Sequence, residues 1–296
     1  MNRREMLALG GAALLSPFPR GWAAEPGARK RRLLVFTKSA GFIHPVISWK
    51  KGKPSHVERV LGKLGAKHGF EITATKDGTV FTPDNLRQYD AFFFYTSGDL
   101  TKPGEDKHPP MTQAGKQALL DAVKGGKGFI GSHAASDSFH TPGERLANQD
   151  KPDPYLQMLG GEFIRHGPQQ KALIRVADPK FPGAAKLGKE FILHEEWYAL
   201  KNFAPNLHVI LLQMCRDMKG KDYQRPPYPD TWARPHGKGR VFYTAMGHRE
   251  DVWTNPLFQS ILLGGIAWTT GNVKADVKPN LREVAPKAHV LPPKPA

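Results

Sequence analysis

Short apolar runs, each ending in small or polar residues, set the rhythm of the first half of the chain. Residues 32–36 (RLLVF, apolar after its arginine) and 91–95 (AFFFY) are continuous runs, which predicts strands buried on both faces. Residues 70–75 (FEITAT) alternate, as a strand with one wetter face does. Between these runs the period lengthens to that of a helix. Ser55 followed by Glu58 forms a capping box, Val57, Val60, Leu61 and Leu64 share one face, and Gly69 ends the helix. Thr82-Pro83 opens a short helix. A further one starts at Thr112, with Ala118, Leu119 and Val123 on its buried side. Gly125-Gly126-Lys127-Gly128 then turns the chain into another apolar strand. The order β-α-β-α-β-α-β predicts a mostly parallel sheet with helices on both faces.

The second half reads differently. A loop over 141–154 leads to a short helix at 155–159. Residues 173–176 suggest an antiparallel strand, 191–198 (FILHEEWY) one strand ending in charge, and 207–214 another apolar strand. Residues 231–234 and 239–244 predict a strand pair joined through 236–239. Asn255-Pro256 caps a helix running to about Trp268. Residues 273–296 are rich in Pro and Lys without an apolar period, so the tail is expected to lie extended over the surface or without order. One domain over 30–272 is the economical division.

The N-terminus changes the picture of where the protein acts. Arg3-Arg4 precede a weakly apolar stretch, and Ala23-Ala24 offer small residues for cleavage. Residues 1–24 are therefore expected to be a twin-arginine signal peptide, with a periplasmic or extracellular destination to match. The mean hydropathy is −0.47, and no long apolar run follows, so stable membrane insertion is not expected. Formal net charge is +16 at pH 7. The cations are scattered and no nucleic-acid-binding motif accompanies them, so nucleic acid is not an expected partner. The single cysteine, Cys215, excludes an intramolecular disulfide and is expected to be buried.

Candidate chemistry gathers where strands end. Residues 128–140 (GFIGSHAASDSFH) pass from an apolar run directly into two imidazoles and a carboxylate, and in open α/β sheets ligands sit beyond the carboxyl ends of the strands. His44, His133, Asp137, His140, His166, His194, Glu195, Glu196 and His248 all fall at predicted strand ends. Imidazoles and carboxylates converging there suit a divalent metal (Zn, Mn, Ni or Fe) or proton transfer near neutral pH. His133, His166 and His248 are the expected metal ligands. His133, Glu196 and Asp137 are the expected acid–base groups. His44, Trp197, Tyr198, Trp232 and Arg234 are expected to bind substrate, since aromatic faces beside polar groups suit sugar rings. Ser132 is no nucleophile elbow, because Gly131-Ser132-His133-Ala134-Ala135 lacks the G-x-S-x-G order.

Taken together, the stretches Gly41-Phe42-Ile43-His44, 128–137 (GFIGSHAASD), 160–166 (GGEFIRH), Glu195-Glu196-Trp197-Tyr198 and 232–248 (WARPHGKGRVFYTAMGH) resemble the ThuA-like, or trehalose-utilisation, family. The resemblance implies a flavodoxin-like, class I glutamine amidotransferase-like α/β three-layer sandwich with an antiparallel extension. It also implies that His133 stands at the elbow where amidotransferases carry their cysteine, so glutaminase activity is not expected. It implies a saccharide ligand and chemistry on oxidised (keto) sugars or glycosides by a hydrolase, lyase or isomerase. A carbohydrate-binding module on the same fold, without catalysis, is the alternative.

Overall fold

The computed structural model describes residues 29–294. The expected signal peptide at 1–24 lies outside the described residues. The element order is β1 (Arg31–Phe36), α1 (His56–His68), β2 (Phe70–Thr75), α2 (Pro83–Leu86), β3 (Ala91–Phe94), α3 (Gln113–Lys124) and β4 (Gly128–Ser132). It continues with α4 (Pro154–Leu159), β5 (Glu162–His166), β6 (Gln170–Val176), β7 (Glu190–Glu195), β8 (Tyr198–Lys201), β9 (His208–Met214), β10 (Tyr228–His236) and β11 (Gly239–Thr244). Helices α5 (Glu250–Thr254), α6 (Pro256–Thr269) and α7 (Leu281–Val284) complete it.

A nine-stranded sheet runs in the order β2-β1-β3-β4-β11-β10-β9-β6-β7. The first five of these strands are mutually parallel, and the last four extend the sheet antiparallel. This is the mostly parallel sheet that the pattern predicts, with the antiparallel extension that the resemblance implies. The apolar runs are buried as expected: Phe92, Phe93 and Phe94 are fully inaccessible, and burying each contributes about 1.5–3 kcal/mol. Neighbours on β11 show the layering. Phe242 packs so tightly under α6 that a Cβ on Gly265 would lie 2.6 Å from its ring. Tyr243, on the other face, stacks 4.4 Å from Trp232 on the side of α4.

Local signals are realised in detail. Ser55 and Glu58 form the capping box of α1, and Gly69 closes it in the left-handed conformation. Thr112 caps α3 and Asn255 caps α6. Strands β10 and β11 pair as a hairpin with His236 opposite Gly239.

Two features depart from the pattern. The single strand expected over 191–198 is two strands in different sheets: β7 ends at Glu195, and β8 pairs only with β5. Glu196 and Trp197 make the corner between them. The tail is also built in. Asn280 exchanges hydrogen bonds with Leu207 and Val209, Arg225 Nη2 donates to the Ala288 carbonyl, and Ala285 and Ala288 are buried. Cys215 is buried just beyond β9, and burial pushes its thiol up to about 12, which removes it as a nucleophile.

Candidate metal centre

Parallel strands deliver their carboxyl ends to one edge of the sheet, and the loops that leave that edge converge. His44 follows β1, His133 follows β4, His248 follows β11, and Glu196 follows β7. One ligand atom from each lies within 4.8 Å of all the others. Glu196 Oε1 is 3.0 Å from His248 Nδ1 and 3.5 Å from His133 Nε2. His248 Nδ1 and His133 Nε2 are 3.2 Å apart. His44 approaches with its ring 5.2 Å from that of His133 and 5.3 Å from that of His248.

His133 occupies an elbow. Strand β4 turns directly into one turn of 3-10 helix over His133–Asp137. His133 has φ +46°, in the left-handed region, which costs a residue with a Cβ about 1–2 kcal/mol. Strain of this kind at a strand-to-helix turn thrusts one side chain outward from the sheet edge. The ring is then locked. Nδ1 lies 2.8 Å from the Ala245 carbonyl, which can only accept, so Nδ1 carries the proton and the Nε2 lone pair faces the cluster. Tyr198 lies against the ring with centroids 4.0 Å apart.

Glu195, a strand-end candidate to which the sequence assigns no role, supports the site. Glu195 is fully buried; its Oε2 accepts from the Gly247 and His248 amides at 2.8 and 3.1 Å, and its Oε1 accepts from the Glu196 amide at 2.7 Å. It therefore fixes the backbone of two site residues. Burial pushes its carboxyl up to about 8 against those hydrogen bonds. Gly247, at φ +127°, lets the chain pass Ser132, whose Oγ would lie 2.7 Å from a Cβ there. Alternation along β7 could have flagged Glu195, because it puts 195 on the face opposite His194, which is exposed.

The electrostatics favour a cation. Burial holds His44 well below the usual histidine range, with His133 and His248 adding to the effect. Burial also lowers His133, although Glu196 opposes it. Both rings are thus neutral near pH 7, with lone pairs to donate. Burial alone would raise Glu196, but its pairing with the His133 and His248 rings holds it well below the usual carboxylate range. Three imidazoles and one carboxylate form a donor set that Zn, Mn, Ni or Fe accepts. Tyr95, in ring contact with His44 and His133, has a buried hydroxyl with no hydrogen-bond partner, so the pocket is short of a polar guest.

Other expected site residues fall elsewhere. His166 is not among the four convergent donors, but its Nδ1 lies 3.5 Å from Glu196 Oε2 and its side chain is 43% exposed, so it stands at the mouth. His44, expected to bind substrate, stands instead among the donors. Asp137 turns away: its Oδ1 pairs with His140 Nε2 at 2.8 Å and Arg145 Nη2 at 3.4 Å. Trp197 and Trp232 are fully buried with their indole N–H groups donated to the carbonyls of Gln170 and Leu159, so neither offers a face to a sugar. Arg234 Nη1 donates to the carbonyls of Gln157 and Met158 at the end of α4. Of the expected substrate-binding aromatics, Tyr198 alone touches the cluster, with its hydroxyl 3.4 Å from His44 Nε2.

Comparison with known proteins agrees with this architecture. Residues 32–269 match the family model ThuA, described as trehalose utilisation. A thua-like protein from Bacteroides uniformis superposes with a TM-score of 0.59 at 17% identity, covering 83% of this chain and 94% of that one. One from Parabacteroides merdae superposes with a TM-score of 0.54 at 18% identity, covering 84% and 93%. At such identities these two establish the shared fold. No curated protein sequence matches the chain.

Proposed function

The chain belongs to the ThuA, or trehalose-utilisation, family, and from that premise we propose that it is an exported saccharide-processing protein that binds one divalent metal. The observation that carries this reading is the convergence of ligand atoms from His44, His133, Glu196 and His248 within 4.8 Å. Glu196 supplies the negative charge. His133 presents Nε2 because Ala245 holds Nδ1–H, and His248 is aimed by the hydrogen bond its backbone N–H donates to Glu195. A bound ion would supply positive charge to the oxygen of a sugar carbonyl.

The chain's own groups suit proton transfer beside that carbonyl. His166 at the mouth accepts a proton from the carbon next to the carbonyl, and the C–H electron pair moves towards the carbonyl oxygen. Glu196 Oε2, 3.5 Å away, stabilises the imidazolium that results. The exposed ring of Phe42, which lies 4.9 Å from His44, offers the sugar apolar surface. No stacking platform remains at Trp197 or Trp232 for the carbohydrate-binding alternative, so the enzyme reading is favoured.

Two measurements test the proposal. Purified protein is expected to carry about one divalent ion per chain, and to exchange deuterium into a keto-sugar next to its carbonyl. His166→Asn should abolish the exchange while keeping the metal. Protein without metal, together with full exchange in His133→Ala, overturns the reading. Export is tested by replacing Arg3 and Arg4 with lysine, which should strand the protein in the cytoplasm; unchanged export contradicts it.

A further inference from the structure

The C-terminal segment forms one wall of a cleft of about 590 Å³ whose opposite side is built from α4 and the turns at 148–152 and 202–205. Asn148 Nδ2 donates to the His289 carbonyl and so joins the tail to the first of these turns. The volume is within the range of small-molecule sites. Arg234 is part of its lining, and it is the unusual member.

Arg234 is only 8% exposed. Its Nη1 caps α4, but its Nε is buried with no acceptor. No carboxylate pairs with it among the described residues, and burial, with nothing to offset it, pushes the guanidinium down to about 10. Asp150 lies exposed on the same cleft and makes no ion pair with Arg234 or with the exposed Arg282 opposite. Burying an unpaired cation is costly, and a planar oxyanion relieves that cost with two parallel hydrogen bonds. The lining also offers side-chain amides, Asn148 and Gln157, and the ring of Phe203.

We propose that this cleft is a second ligand site, separate from the histidine cluster, that binds a small carboxylated sugar through Arg234. The carboxylate meets the guanidinium, the amides meet hydroxyls, and the Phe203 ring covers a C–H face of the sugar. The site rests on Arg234 and the tail, and it does not require metal at His133.

Titration calorimetry on the full chain tests this with glucuronate, glucose and inorganic phosphate as probes. Glucuronate should bind at least about ten-fold more tightly than either of the others. Arg234→Gln should bring glucuronate down to the level of glucose. Arg282→Glu, a surface change that leaves the fold intact, should weaken glucuronate several-fold even if Arg234→Gln fails to fold. His133→Ala should leave glucuronate binding unchanged. Equal binding of glucuronate and glucose, insensitivity to Arg282→Glu, or loss of binding in His133→Ala overturns the proposal. Tighter binding of phosphate than of glucuronate overturns the sugar-acid assignment.

Discussion

Two clusters of histidine and carboxylate include residues from the segment that follows β4, and they differ in their charge. In the first, His44, His133 and His248 surround a single carboxylate, Glu196. In the second, His140 stands between two carboxylates, 2.8 Å from Asp137 Oδ1 and 3.6 Å from Glu162 Oε1. Arg145 pairs with Asp137, and Lys201 Nζ lies 3.9 Å from Glu162. The second cluster already holds its cations. Burial alone would lower His140, but hydrogen bonds with Asp137 and Glu162 raise it to about 9. In the first, burial holds His44 and His133 towards the neutral form, and the ligand atoms converge. Proximity of histidine to carboxylate therefore does not mark a metal site. The marks are the ratio of imidazole to acid and the direction of the lone pairs.

The contrast can be broken by mutation. The largest effect is expected for His133→Ala or His248→Ala, each weakening metal affinity by more than about 100-fold, beyond the loss that removal of a supporting group causes. His140→Ala should leave the metal in place, and competitive chelator titration reads both. Next comes Glu195→Gln. The amide that replaces one carboxylate oxygen cannot accept from the backbone N–H groups, so His248 loses its aim and metal affinity should fall about 10–100-fold.

The two clusters should also respond oppositely to pH in metal-free protein. His140 has a raised folded-state pKa. Its contribution to stability is complete below the unfolded value near 6.5 and is lost as pH rises through about 9. His44 and His133 have lowered folded-state pKa values, so their contribution is present above about 6.5 and is lost as pH falls. Melting curves should show His140→Asn flattening the alkaline limb and His133→Ala flattening the acid limb. The smallest effect is at the elbow. His133→Gly should be more stable than His133→Ala by about 1 kcal/mol, because only glycine occupies φ +46° without strain. Equal stability of the two would show that the elbow stores no strain.

Apolar runs with both faces buried announced the parallel strands, and Ser55, Gly69, Thr112 and Asn255 marked helix ends because caps are local chemistry. His133 and His248 were legible for the same reason: a parallel strand's carboxyl end predicts where its loop emerges. The rest depended on distances that no local pattern encodes. The corner at Glu196 was hidden because 191–198 reads as one strand. Asp137 was diverted by His140, three residues on, and Arg145, both carried on the loop that follows. Trp232 and Arg234 sit on β10, in the antiparallel extension, where the Trp232 indole N–H and Arg234 Nη1 are taken up by carbonyls at the end of α4. Glu195 acts through backbone amides, which carry no residue signature.

Anomalous diffraction from crystals loaded with zinc tests the central claim most directly. The account predicts one strong peak bounded by His44, His133, Glu196 and His248, with nothing at His140. A peak between Asp137, His140 and Glu162, or no peak near His133, would contradict it.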